Sequence, residues 1–322
     1  MNDVARAVQL LHAGRLVAFP TETVYGLGAD ATSADAVRRI FAAKGRPATN
    51  PLIAHVPSVD VAKRYAALWP DAAQRLADAL WPGPLSIVLP KTDAIVTEVS
   101  AGRATVGLRV PNHPLALELL RAFDGPVAAP SANRSNRISP TTAAHVRDEL
   151  GNTVDLILDG GPCAVGIEST VIDLSGDTPT ILRPGGASRA VIEAIIGPVA
   201  IFSGAVAHDV AAVSPGQHSV HYAPVTPAYR FDAPQRGLVD PNGAGMMVAG
   251  HGDETERSGP IVAMSRHPEA YAHDFYAVLR ELDAMGLNAI FIELPPDTPA
   301  WHAVRDRITR ATRPFGMWMA HL

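Results

Sequence analysis

Short apolar runs alternating with helical stripes predict a layered α/β protein. The first two hundred or so residues interleave strand-like and helix-like segments. A proline- and glycine-rich break then interrupts the pattern, and the same alternation returns over about one hundred further residues. The length of 322 residues is about twice the ~150 expected of one domain, so two hydrophobic cores are expected. The divisions read as a large unit over 1–205, a connector over 206–224 and a small unit over 225–322.

Taken in order, Val4, Val8 and Leu11 share a helical face stopped by Gly14, and 16–19 reads as a strand ended by Pro20. Ser33 is placed to N-cap a helix striped by Val37, Ile40, Phe41 and Lys44. Residues 52–56, 85–89, 106–110 and 127–129 read as strands, several bounded by proline. Further strands are expected at 156–158, 170–174 and 180–182, with a helix over 191–196. Past the connector, 245–250 and 261–264 read as strands, and Phe275, Leu279 and Leu282 stripe a helix closed by Gly286. A strand at 289–294 and a helix at 301–312 complete a β-α-β-α series, which predicts a small parallel sheet.

Composition narrows the function classes. Apolar residues make up 47% and charged residues 18%, which excludes a disordered chain. A net charge of −5 supplies no global basic coat for nucleic acid. One cysteine, Cys163, excludes a disulfide scaffold and an all-cysteine zinc site, and suits a reducing cytoplasm. The amino terminus lacks a secretory layout, and the greasiest stretch, 194–213, is broken by Gly197-Pro198 and His208-Asp209, so no membrane span is expected.

Polar residues cluster at strand ends. Pro20-Thr21-Glu22-Thr23-Val24-Tyr25-Gly26-Leu27-Gly28 sets hydroxyls and glycines after the first strand, where small ligands bind α/β folds; it also reads as an ordinary glycine-rich turn. Its Gly26-x-Gly28-x-x-Ala31 imitates a dinucleotide fingerprint, but polar residues separate it from the strand, which ranks a nicotinamide dehydrogenase low. Lys44-Gly45-Arg46-Pro47 closes a helix, followed by Asn50. The two cations either complement the helix dipole or offer a polyphosphate one point charge and one fork. The choice of lysine is notable, because only Lys44, Lys63 and Lys91 occur among 27 basic residues. Pro130-Ser131-Ala132-Asn133-Arg134-Ser135 is a turn or an anion-binding nest. Arg109, inside a strand, needs an anionic partner if it points inward. His55, Glu168-Ser169-Thr170 and Arg183-Pro184-Gly185 are individually weak signals. No phosphate-binding P-loop, zinc-protease helix or nucleophile elbow occurs, and nothing recommends Cys163 as a nucleophile, so chemistry by positioning and charge is expected.

Together, in this order, Pro20–Gly28, Lys44-Gly45-Arg46-Pro47, Pro130–Asn133, Glu168-Ser169-Thr170, Arg183-Pro184-Gly185, Ser214-Pro215-Gly216 and His221-Tyr222-Ala223-Pro224 resemble the threonylcarbamoyl-AMP synthase family, the YrdC-like proteins, in its two-domain long form. The resemblance implies a twisted mixed sheet flanked by helices plus a smaller Rossmann-like α/β domain. It implies synthesis of threonylcarbamoyl-AMP and pyrophosphate from L-threonine, bicarbonate or CO2, and ATP. Other proteins then transfer the threonylcarbamoyl group to tRNA, forming threonylcarbamoyladenosine (t6A). Carried over, Thr23, His55, Arg109, Ala129 and Ser169 line the threonine site. Arg46, Asn50, Thr105, Ser131, Ser139 and Arg183 hold ATP, with Lys44 and Asn133 completing the phosphate cradle and Tyr222 closing over the nucleotide. Lys44 and Arg46 are the catalytic pair, and Mg²⁺ is held mainly by ATP phosphates. The connector departs from the family at Gln217-His218-Ser219-Val220, where a methionine and basic residues are usual.

Two other readings compete. A carbamoyl-adenylate-forming carbamoyltransferase is much longer and carries cysteine-rich zinc fingers. A double-stranded RNA-binding module would need Lys44, Arg46, Arg109, Arg134, Arg137 and Arg183 on one concave basic face, and its binding would fall steeply with salt.

Overall fold

The computed structural model describes residues 3–202, 221–239, 244–249 and 260–319. They divide into two compact units, one holding 3–135 and 139–202, the other 136–138 and the described residues from 221 on. Most of the expected connector, including Ser214-Pro215-Gly216, Gln217, His218, Ser219 and Val220, lies outside the described residues.

The first unit runs α1 (Asp3–His12), β1 (Val17–Phe19), β2 (Gly26–Asp30), α2 (Ala34–Lys44), β3 (Ile53–His55), α3 (Val59–Tyr65), α4 (Asp71–Leu80), β4 (Leu85–Pro90), α5 (Thr97–Ser100), β5 (Thr105–Arg109), α6 (Pro114–Phe123), β6 (Val127–Ala128), α7 (Ala143–Leu150), β7 (Leu156–Ile157), β8 (Thr170–Asp173), β9 (Thr180–Arg183), α8 (Arg189–Ile196) and β10 (Ala200–Ile201). Ser33, Ser58, Thr142 and Ser188 each accept a backbone N–H at a helix start, which ties off otherwise orphaned donors. The ten strands form one mixed sheet ordered β10-β9-β8-β4-β5-β3-β6-β2-β1-β7.

Side chains alternate across a strand, so each strand feeds two faces. Leu85, Ile87 and Leu89 of β4, Val106 and Leu108 of β5 and Ala54 of β3 turn to one face. There they join Val37 and Ile40 of α2, Leu76 of α4, Val146 of α7 and Ile192 of α8 in the main core. The opposite face carries two separate apolar clusters. At the β1–β6 end, Val17, Phe19 and Val127 pack under Leu11 of α1 and Leu119 and Phe123 of α6. Over β3, β4, β8 and β9 the buried apolar cluster shrinks to Ile53, Val88, Val171 and Leu182, all from strands. Buried polar side chains, described below, adjoin this smaller cluster.

The second unit contains β11 (Ala228–Phe231), β12 (Ala244–Ala249), β13 (Ile261–Met264), α9 (Pro268–Ala284), β14 (Ala289–Glu293), α10 (His302–Ala311), β15 (Arg313–Pro314) and α11 (Phe315–Met319). Its sheet, ordered β13-β12-β14-β11-β15, is parallel throughout, as expected of short β-α-β units. Tyr229, Phe231, Met246, Val248, Phe291 and Phe315 build its core. Four strands are absent from the sequence expectation, the two-residue β10 and β15 and the longer β2 and β11. Gly26–Asp30 is paired rather than a free glycine turn, and Ala228–Phe231, hidden behind Pro224 and Pro227, opens the second sheet. No helix of the described residues is long and apolar enough to cross a membrane.

Candidate active site

Strands β3 and β5 run parallel with His55 paired to Arg109. Both side chains are buried. Arg109 has the anionic partner its burial demands. Its Nη2 lies 2.8 Å from Glu22 Oε1 and donates to Thr23 Oγ1 at 2.9 Å, while Nε donates to the Gly83 carbonyl at 3.3 Å. Glu22 Oε2 accepts the Asn112 N–H at 3.0 Å, and Thr21 and Thr23 share a hydroxyl bond at 2.8 Å. The segment after β1 is therefore a built mount for one guanidinium. Burial, and then the charge of Arg109, push His55 down to about 3, so its imidazole is neutral. Its Nδ1 has no hydrogen-bond partner. Ala129 sits beside this pair, its N–H bonded to the Ile53 carbonyl at 3.0 Å.

Lys44 ends α2, with Gly45 in the left-handed C-cap conformation. Its ammonium is buried and donates to the carbonyls of Ser131 (2.6 Å) and Asn133, with Asn133 Oδ1 at 3.5 Å. The Lys44 carbonyl in turn accepts the Ser135 N–H at 2.8 Å. Burial, and then the neighbouring Arg46, hold the Lys44 ammonium well below its ordinary pKa. The lysine thus grips the 131–135 turn from both ends of its residue. Arg46 braces the next loop, with Nε to the Asn50 carbonyl (3.2 Å) and Nη2 to that of Pro51 (2.9 Å).

On the other flank, Arg183 forks onto the Ser169 carbonyl through Nη2 (2.8 Å) and Nε (3.2 Å), and Ser169 and Ser86 share a bond at 2.8 Å. Ser139 donates to Glu168 Oε1 at 2.6 Å. Gly185 allows this flank to close. A Cβ there would stand 2.4 Å from the Glu168 oxygen and the Ser169 carbonyl carbon.

These groups belong to one contiguous region. Ser131 bridges Gly26, and Tyr25 bonds Pro140 through its N–H and Ala132 through its carbonyl, which joins the Lys44 turn to the stretch carrying Ser139. Thr105 lies on the strand of Arg109 and lines a hollow with Pro51, Ile53, Arg103, Gly107 and Val171, beside the residues that Arg46 and Arg183 hold. Every predicted residue of the first unit is accounted for in this linked set. Tyr222 lies in the second unit, buried, with the Arg307 guanidinium 5.1 Å from its ring and Tyr276 at 5.8 Å. Its φ of 63° is a strained conformation for a tyrosine.

The sequence reading did not name Glu22, Glu168 or Ser86 as site residues. The rule that a buried arginine needs a carboxylate was the signal for Glu22, and a serine alternating with Val88 on β4 was the signal for Ser86. The cations do not form an open basic face for RNA. Lys44, Arg46, Arg109 and Arg183 are buried, while Arg134 bonds Glu149 and Arg137 pairs with Asp283 in the second unit. Gly26 and Gly28 sit within a strand rather than in a loop opening a helix, which removes the dinucleotide fingerprint. Burial, outweighing its other influences, pushes the Cys163 thiol up to about 12, so it is an inert structural cysteine.

The mixed sheet with its buried arginines and lysine-braced serine-asparagine turn matches the class of the Sua5, YciO and YrdC proteins. The family model for that class, described as telomere recombination, matches residues 9–185, and a second, described as the threonylcarbamoyl-AMP synthase C-terminal domain, matches 187–312. A threonylcarbamoyl-AMP synthase of Bacillus subtilis is 40% identical over 323 residues, spanning 96% of this chain and 93% of that protein. One from Pyrococcus abyssi is 38% identical over 315 residues, spanning 95% and 93%. The crystal structure of P. abyssi Sua5 complexed with L-threonine superposes with a TM-score of 0.88 at 36% identity, covering 96% of this chain and 95% of that one. The chain belongs to the threonylcarbamoyl-AMP synthase family.

Proposed function

We propose that this protein is the enzyme that makes L-threonylcarbamoyladenylate and pyrophosphate from L-threonine, bicarbonate or CO2, and ATP, at the polar region of its larger unit. The observation that carries this reading is the mounting of Arg109 and His55 on paired strands within the same linked region as the Lys44-braced turn and Arg183, an amino-acid site abutting a polyphosphate site.

Arg109, held by Glu22, grips the threonine carboxylate, with Thr23, neutral His55, Ala129 and Ser169 shaping the rest of that subsite. An uncharged imidazole suits a site that must hold an amine ready to react, since an imidazolium would oppose its approach to the adjoining arginine. Arg46, Asn50, Thr105, Ser131, Asn133, Ser139 and Arg183 hold ATP, and Lys44 shapes the turn bearing Ser131 and Asn133.

The threonine amine adds to CO2, giving a carbamate and releasing a proton. A carbamate oxygen then attacks the α-phosphorus as the bond to the β-phosphate bridge breaks, releasing pyrophosphate in line. No protein nucleophile takes part. Fixed cations offset the charge that develops on the transferred and leaving groups. Mg²⁺ would be held mainly by the phosphates of ATP and would help offset the charge on the leaving group. Glu22 and Glu168 are committed to Arg109 and Ser139, and no cluster of three His, Cys, Asp or Glu side chains that could hold an ion occurs among the described residues. The product is a reactive mixed anhydride, which suits prompt transfer by cytoplasmic proteins to the adenosine beside the tRNA anticodon. Incubation with MgATP, threonine and ¹³C-bicarbonate should give a labelled threonylcarbamoyl-AMP by mass spectrometry. Unchanged ATP, or AMP without the adduct, would refute the assignment.

A further inference from the structure

Ser139, assigned to ATP above, and Glu168, given no part in the reaction so far, meet inside the larger unit. Ser139 Oγ donates to Glu168 Oε1 at 2.6 Å, and both residues are buried. Backbone bonds hold the two segments in place independently of that contact. The Thr141 carbonyl accepts the Cys163 N–H at 3.0 Å, and the Glu22 carbonyl accepts the Val165 N–H at 2.7 Å. The Glu168 carbonyl accepts the Gly186 N–H at 3.1 Å. A hydroxyl carries one proton and two lone pairs. With its proton turned to a carboxylate in a charge-assisted bond, Ser139 Oγ can only accept from a third group. Ionised phosphate oxygens also only accept, so they cannot answer it, and the carboxylate would repel them. The donors that a nucleotide such as ATP carries are its ribose hydroxyls and its adenine amino group. Position chooses between these. The carbonyl of Pro140, next to Ser139, accepts the Tyr25 N–H at 2.9 Å, and the Tyr25 carbonyl accepts the Ala132 N–H at 2.8 Å, within the turn that Lys44 braces. Ser169, next to Glu168, belongs to the threonine subsite proposed above. The pair thus joins the polyphosphate turn to the amino-acid subsite, where the α-phosphate must come, and the ribose is the part of the nucleotide bonded to that phosphate.

We propose that Ser139 accepts a hydrogen bond from a ribose hydroxyl of ATP, and that Glu168 is the positioning residue that keeps this serine an acceptor, so that the site selects ribonucleotides over deoxyribonucleotides. The proposal rests on the adenylation reading above. It is tested in the full-length chain by the rate of adduct formation from ATP, 2′-deoxy-ATP, 3′-deoxy-ATP and inosine triphosphate, which lacks the amino group. The two deoxy forms tell which hydroxyl is read. In the wild type, kcat/KM should fall roughly tenfold or more with at least one deoxy form, because a buried acceptor is left without its donor. Ser139→Ala should bring that ratio of ATP to the deoxy form within about threefold, since nothing remains to read the hydroxyl. Glu168→Gln, whose amide can donate to Ser139 and release the serine proton, should lower the ratio at least about threefold. A merely structural Glu168 would instead lower activity with every nucleotide alike. Threonine binding by Ser139→Ala, measured calorimetrically without nucleotide, should stay within about twofold of the wild type. Equal wild-type rates with ATP and both deoxy forms, unchanged ratios in the folded variants, or variants that lose discrimination against inosine triphosphate instead, would overturn the proposal. If Glu168→Gln does not fold, Ser139→Ala, which keeps the carboxylate, decides the matter together with the wild-type ratios. A wild-type chain that forms no adduct from ATP would refute the function itself.

Discussion

Replacing Lys44 by methionine separates two roles open to one ammonium, a charge aimed at phosphate or a brace for the turn that binds it. Methionine retains most of the volume but removes the charge and the donors to Ser131 and Asn133. Two charge-assisted bonds worth about 1.5–3 kcal/mol each are lost. The variant also no longer buries an ammonium, which costs several kcal/mol in a site this enclosed. These effects oppose each other, so global stability should move by no more than about 2 kcal/mol. The turn gains nothing from the offset. Its freed carbonyls rotate toward water, and ATP must restore them on binding. A loss of about 3 kcal/mol corresponds to a roughly hundredfold weaker Kd. Urea melts and calorimetric titration with MgATP measure the two quantities, and pyrophosphate exchange should fall below detection. Because the ammonium is turned to carbonyls, the salt dependence of the remaining binding should match that of the wild type. A variant that unfolds, that binds ATP within a few-fold of wild type, or that shows a flattened salt dependence would refute the brace.

Arg109→Lys should raise the threonine KM about a hundredfold, because a point charge cannot replace a fork held by Glu22 and Thr23, while nucleotide binding measured without threonine changes little; parallel titrations check this. Gly185→Ala should destabilise the protein by about 1–3 kcal/mol or more, since its Cβ would strike the Glu168–Ser169 backbone, and should weaken ATP binding as Arg183 shifts; urea melts that coincide with wild type would contradict it. His55 has a folded pKa near 3, below the unfolded value, so its contribution is intact above about pH 6.5 and is lost as pH falls from there toward 3. His55→Gln should therefore flatten the acid loss of stability by about 1.4 kcal/mol per pH unit between roughly pH 6 and 4, read from melts across that range.

Much of this was legible in the chain. Residues 106–110 read correctly as a strand, and an arginine there required an acid, which the structure supplies as Glu22. The glycine-rich run was harder. β2 has poor strand propensity but is fixed by packing, since a Cβ on Gly28 would fall 2.8 Å from the Phe19 ring and 2.9 Å from Val127. β11 was lost among prolines for a related reason, because its place between β14 and β15 is a tertiary fact. Sequence marked Lys44 as special but could not show which way the ammonium points. Nor could spacing reveal that 136–138 leaves the first unit, since nothing in Asn136-Arg137-Ile138 announces a carboxylate at position 283.

Fixed charges align the carbamate and ATP for direct attack, with no covalent enzyme–AMP intermediate. Chirally labelled ATP, carrying sulfur and oxygen isotopes at the α-phosphorus, tests this by its stereochemical course. One in-line displacement gives inversion in the threonylcarbamoyl-adenylate. Net retention, or AMP covalently attached to the protein, would contradict it.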